Sequence, residues 1–508
     1  MSNFLNEYRT IIDNMVAKYT GNEYSLQRLD FHLKNLEQTI DTENNNYSKR
    51  IIRTNNLAIE QEMFIEVFLS QNKYYFIPIG DGCFYQYDGK NYAAAKEDDI
   101  LHKILTTISY DSGLQDWKYK TKNSIIKQIK GNNLLATIPE SATIQSVLKR
   151  LCPAVFPNRE TAKYFLTILG DNILKKNKDN IYLVNGKSKA FLSQLDEYAY
   201  LTIGHANITK NFIKYHESHD YQNCRLCIIN DHGEDIISIE QSLNLFCVAC
   251  HYSNRFDNAD EFVSKKCGES LKNYAFYLKN NNMESIVEIF CKNMIIPTEN
   301  EQAISSTFLL KWKDMHYLWK CHLSFLNMPN MIYSTKLKQI LIKKYAYSEM
   351  NDCFINITSK HLPRVQKFLT FWNENIEVDV DDDLEIDELV NLSKNSCGNY
   401  TDAEILKIIS HFFPEVTIRE GKYLTNVSCK LWDKPNDIKK SLEALKNEFR
   451  EKHDDSFVSF DKAYNFYCKY FNNAMIVSKN YFENYLHKHF AKHIQYNTFL
   501  HNEWYYEK

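Results

Sequence analysis

Glycine and proline are scarce in this chain of 508 residues, at 13 and 9. Both residues break helices and build tight turns, so their scarcity excludes a turn-rich open β-sandwich and predicts a mostly helical chain. No stretch of 18 apolar residues occurs, which excludes a helix crossing a membrane and a membrane partner reached that way. Residues 1–19 interleave Asn6, Glu7, Arg9 and Asp13 with apolar positions, so the apolar core of a secretory leader is lacking. A strong net charge is lacking too, at −3, so any nucleic-acid surface has to be a local patch. The 13 cysteines are spread from Cys83 to Cys468, a pattern expected of reduced thiols in a cytoplasmic setting rather than of a disulfide framework. A nucleophile elbow, a dinucleotide fingerprint and an EF-hand loop are also missing.

What is present has an ordinary globular balance, 44% hydrophobic and 25% charged, in a length that suits about three domains. Apolar residues recur at helical spacing over residues 1–40, 57–69, 98–108 and 161–176. Residues 74–79, 83–87 and 90–94 read as strands, the last two joined at Asp88-Gly89 as a hairpin. Residues 181–184, 225–229 and 245–249 are short apolar runs read as strands of a β-α-β region. Residues 377–388 are an acidic run, read as a linker or solvated face because like charges repel a compact state. Beyond it, Thr401-Asp402-Ala403-Glu404 is a capping box opening a helix to Phe413, followed by a short hairpin over 416–429.

The fold class expected is therefore α+β, predominantly helical, with a central mixed α/β region and a small C-terminal winged-helix-like unit. The domains expected are 1–150, mostly helical with a β-hairpin; 151–375, an α/β core followed by helices; 376–400, the acidic linker; and 401–508, the winged-helix-like and helical unit.

Three constellations could carry chemistry. The first is basic and aromatic: Trp117, Lys118, Tyr119, Lys120, Lys122, Lys127 and Lys130. Lysines attract phosphate and aromatic faces stack on bases, so DNA or RNA is the expected partner. The alternative is a solvated helix face with two rings tucked inward.

The second is Asn185-Gly186-Lys187-Ser188 after the run at 181–184, the end of a Walker A loop. There Lys187 would reach phosphate and Ser188 would hold Mg²⁺, with Gly186 in the loop. The full motif needs a glycine five residues before Gly186, and Ile181 stands there; a β-branched residue resists the left-handed backbone of a phosphate nest. The run at 226–230 ends in Asp231, as a Walker B strand would, and the run at 245–249 leads to Asn254, as a γ-phosphate sensor strand would. This order resembles the primase–helicases of nucleocytoplasmic large DNA viruses, which are superfamily 3 helicases. Residues 84–105, with Tyr87-Asp88-Gly89-Lys90-Asn91-Tyr92, look like the domain preceding their ATPase core, and the likeness covers about residues 60–260. It implies ATP and Mg²⁺ as cofactors, Lys187, Asp231 and Asn254 as catalytic residues, other replication proteins as partners, and host cytoplasm or a viral factory as the location. The missing glycines and the lack of a second acid beside Asp231 imply that efficient ATP hydrolysis is lost.

The third is Cys224-x2-Cys227 and Cys247-x2-Cys250, separated by 19 residues, a spacing in the zinc range. The alternative is buried core thiols, since both pairs lie in apolar runs. Two functions follow: a nucleic-acid-associated replication protein resembling a degenerate viral primase–helicase, or a zinc-stabilised or metal-free structural or interaction protein with no nucleotide site.

Overall fold

The computed structural model describes residues 2–80, 82–110, 112–175, 180–230, 237–298, 309–451, 457–472, 475–501 and 504. The fold is α+β and predominantly helical, with every sheet small. The chain divides into two compact units, Met1–Asn282 with Asn327–Met331, and Met283–Leu326 with Ile332–Lys508.

The first unit opens with helices Ser2–Tyr19, Glu23–Lys34 and Leu36–Gln71. Among the described residues only the end of the third reaches a core, where Ile65 and Phe68 meet Ile100, Ile104 and Ile108 of helix Glu97–Tyr110 and Ile125 and Ile129 of helix Lys118–Gly131. Strands Lys73–Ile77, Cys83–Tyr87 and Tyr92–Ala95 form an antiparallel meander. The expected hairpin turns at Asp88-Gly89: the Asp88 carboxylate accepts the N–H groups of Lys90 and Asn91 at 2.7 and 2.6 Å, and Gly89 takes φ +96°.

A second core surrounds a three-stranded parallel sheet, with Ile181–Leu183 between Phe212–Ile213 and Cys224–Leu226. Helices Arg159–Leu174 and Ile239–Ser253 cross in this core with Gly170 against Ala249. Residues 245–249, expected as a strand, lie inside the second of these helices. Ser238 and Gln241 form a capping box at its start, which fixes the helix locally. The helix is buried on nearly every face, from Ser242 to Ser253, so the polar half of the helical period is missing and the run imitates a buried strand.

In the second unit, helix Leu362–Asn375 leads into strand Ile376–Glu385, helices Ile386–Cys397 and Asp402–Phe412, and hairpin strands Thr417–Arg419 and Tyr423–Cys429. The sheet order puts Tyr423–Cys429 in the centre, between Ile376–Glu385 and Thr417–Arg419. That order and topology are those of a winged helix, beginning near residue 362 rather than at 401. The acidic run is therefore an edge strand and the start of a helix, not a linker. Its charges are tolerated because the hairpin supplies cations: Arg419 to Asp383 at 2.9 Å, Lys422 to Glu385 at 3.2 Å and Lys430 to Glu377 at 3.8 Å. Lys434 goes further. Its ammonium is buried, 2.6 Å from Glu388, and donates to the Asp383 carbonyl at 2.8 Å. The remaining chain adds helices Lys434–Glu451, Phe460–Tyr470 and Lys479–His489 around Leu442, Leu445 and Phe482.

Candidate functional site

The parallel sheet gives the Gly186-Lys187-Ser188 segment its setting. Strand Ile181–Leu183 ends, residues Gly186–Ser188 make one 3₁₀ turn, and helix Lys189–Ile203 follows. Strand–turn–helix with parallel neighbours on both sides is the arrangement a phosphate loop needs. The turn itself is closed. The Ser188 N–H donates to the Asn185 carbonyl at 3.1 Å, and the buried Ser188 hydroxyl donates to the same oxygen at 2.5 Å. Gly186 does not take the positive φ that would swing consecutive N–H groups onto an anion. The Lys187 side chain lies outside what the structure describes.

Composition did not reveal Lys214. It follows strand Phe212–Ile213, and its Cε and Nζ lie 3.1 and 3.3 Å from where a Cβ on Gly186 would be. The sequence signal was only a lysine after an apolar pair, and nothing in the spacing says that the strand is a parallel neighbour of Ile181–Leu183.

Asp231 lies outside the described residues. Asn254 is described, and it caps the C-terminus of helix Ile239–Ser253, its N–H bonded to the Cys250 carbonyl at 2.9 Å. That helix end is held by Lys175, which donates to the Ser253 carbonyl at 2.8 Å and to Asp171 at 2.8 Å. Lys175 caps helix Arg159–Leu174. The segment expected to carry Asn254 as a strand is a helix, so Asn254 does not end a strand of this sheet.

The four cysteines divide in the same way. Cys224 and Cys227 belong to the strand Cys224–Leu226 and its continuation, Cys247 and Cys250 to the helix. All four are buried. The Cys247 Sγ lies 3.9 Å from the Leu134 carbonyl and beside Tyr75, Tyr85 and Tyr92, whereas Cys227 neighbours Tyr164 and Tyr274. Burial pushes the Cys224 thiol up to about 11 and Cys250 up to about 12, and raises Cys227 and Cys247 as well. Among the described residues no group of three or more His, Cys, Asp or Glu is placed to hold a metal ion.

The basic segment forms a surface. Trp117 ends the turn Ser112–Trp117, and helix Lys118–Gly131 buries Thr121, Ile125 and Ile129 at four-residue steps. That stripe turns the lysines outward. Lys120, Lys127 and Lys130 are exposed, Lys118 and Lys122 partly so, and Tyr119 is 73% exposed. Lys120 Nζ stands 3.6 Å from the Trp117 ring centroid and Lys122 Nζ 5.7 Å from that of Tyr119, so each ring carries its own lysine at the start of the helix. Lys118 donates to Ser109 at 2.8 Å, and Lys130 is 3.9 Å from Glu97.

The winged helix is differently equipped. Its helix Asp402–Phe412 lies along helix Trp312–Phe325: Lys407 donates to Ser324 at 2.8 Å, Lys313 to the Phe412 carbonyl at 2.8 Å, and Tyr317 packs on His411 and Phe412. Its wing cations are engaged by the acidic strand.

Neither a family model nor a curated protein matches the chain. Among the described residues no helix is long and apolar enough to cross a membrane.

Proposed function

We propose that this chain is a nucleic-acid-associated replication protein, related to the viral primase–helicases and without efficient ATP hydrolysis. DNA or RNA binds along the helix Lys118–Gly131, with other replication proteins as further partners. The observation that carries this reading is the solvent-facing part of that helix, where Lys120 and Lys127 are exposed, Tyr119 is 73% exposed and Lys120 covers Trp117. Phosphates are met by lysines and an unstacked base by Tyr119. The strand, turn and helix around Gly186-Lys187-Ser188, with parallel neighbours, support the kinship. The closed turn, with the Ser188 hydroxyl bonded to Asn185, supports the loss of hydrolysis.

Ultraviolet crosslinking of a single-stranded oligonucleotide to the full chain tests the surface. The crosslinked peptide is expected to contain Trp117 and Tyr119, and crosslinks only elsewhere contradict the assignment. ATP turnover above background that disappears in Lys187→Ala would contradict the loss of hydrolysis. The competing reading is a zinc-stabilised or metal-free structural module with no nucleotide site. Its zinc form requires Cys224, Cys227, Cys247 and Cys250 to converge on one ion, whereas the first pair lies along strand Cys224–Leu226 and the second inside helix Ile239–Ser253.

A further inference from the structure

The described side chains of residues 4–60 include none that is buried, yet this length of chain is rich in large apolar residues. In helix Ser2–Tyr19, Phe4, Leu5 and Tyr8 are 63, 58 and 57% exposed; in helix Leu36–Gln71, Ile40, Tyr47 and Ile51 are 47, 66 and 42% exposed. The long helix explains what its upper part lacks. Its buried residues Gln61, Ile65 and Phe68 lie on one stripe, stepping four and three residues. The same steps taken backwards reach Ala58, Thr54, Ile51, Tyr47, Asn44 and Ile40. These steps have the spacing of a coiled-coil seam, covered by the core at one end and by nothing described at the other.

Charge identifies the cover. The uncovered part is acidic first, with Glu37, Asp41 and Glu43, and basic later, with Lys49, Arg50 and Arg53. Arg53 is already paired with Asp116 at 2.6 Å. Lay a second copy antiparallel across this helix, and Ile40 of one meets Ile51 of the other while Asn44 meets Tyr47. The seam's flanks then set Glu43 opposite Arg50, twice by the two-fold symmetry. In a parallel pair the flanks bring Glu43 against Ser48 and Arg50 against Asn55, so no opposite charges meet.

We propose that residues 36–58 pair antiparallel with the same residues of a second copy of this chain. Sedimentation of the full-length protein tests it. A dimer is expected at micromolar concentration. Glu43→Arg and Arg50→Glu, both at exposed positions, should each raise its dissociation constant about tenfold, about 1.4 kcal/mol. The double variant Glu43→Arg/Arg50→Glu should return it to within about threefold of the parent, because the swap rebuilds the pair. A parent that stays monomeric overturns the proposal, and so does a dimer indifferent to both single changes. Capture of the monomer by anionic phospholipid vesicles, without self-association, overturns it too and assigns the apolar face to a membrane surface.

Discussion

A Cβ placed on Gly170 would lie 2.2 Å from the carbonyl oxygen of Ala249. The two helices that frame the parallel sheet therefore meet backbone to backbone, and the neighbour that would have to move is main chain. Gly170→Ala should destabilise the first unit by about 1–3 kcal/mol through overpacking. Denaturant unfolding checks it, and an unchanged midpoint would show that the helices can part freely.

The buried pair Lys434–Glu388 predicts asymmetric costs. Lys434→Met leaves a carboxylate buried without its cation and should cost about 3–5 kcal/mol. Lys434→Met/Glu388→Leu should recover much of that loss, since it removes both charges. Thermal unfolding of the single and double variants distinguishes this from simple loss of packing, in which the double variant would be the worse of the two.

His411 gives a pH dependence. Its Nε2 lies 2.8 Å from the Lys313 carbonyl and its Nδ1 3.1 Å from Lys320 Nζ, which suits a neutral ring donating through one nitrogen and accepting through the other. Burial first, then Lys320, His316 and Lys313, lower its pKa to about 4. The unfolded chain takes up that proton near 6.5, so the contribution of His411 is complete above 6.5 and is lost as pH falls toward 4. Burial raises Glu388 and Asp382, whose effect runs the opposite way as pH falls. The comparison of parent with His411→Gln isolates the histidine: the variant should lose less stability between pH 6.5 and 4.5.

Cys247 offers a test of the thiol reading. If the four thiols are core residues, a chelator leaves the unfolding transition unchanged. Cys247→Ser should then cost about 1–3 kcal/mol, because a hydroxyl replaces a thiol among buried rings. Stoichiometric zinc in purified protein, lost in that variant, would restore the knuckle.

Much of the architecture was legible locally. The Asp88-Gly89 hairpin, the Thr401–Glu404 capping box and the hairpin ending at Cys429 each rest on residues that satisfy their own backbone, so short-range chemistry decides them. The errors came where tertiary context decides. Helix Ile239–Ser253 shows no polar face because the core surrounds it, and strand Ile376–Glu385 reads as an acidic run although Ile376, Val378 and Val380 alternate with acids, because the cations that pair with it, Arg419, Lys422 and Lys430, come from far along the chain. The basic segment was legible as a run of lysines, and the buried stripe at Thr121, Ile125 and Ile129 leaves Lys120, Lys127 and Lys130 exposed. The contact of Lys214 with the Gly186 turn was not legible, because it depends on which strands lie side by side.

The central claim is that the Lys118–Gly131 face binds nucleic acid, and the salt dependence of binding tests it most directly. Affinity for a single-stranded oligonucleotide should be measured across salt concentrations for the parent and for Lys120→Glu/Lys127→Glu. The parent's log affinity should fall linearly with log salt, and the variant's slope should be shallower by about 2, with weaker binding at every salt concentration. Equal slopes and equal affinities would contradict the account and leave this helix as a solvated face.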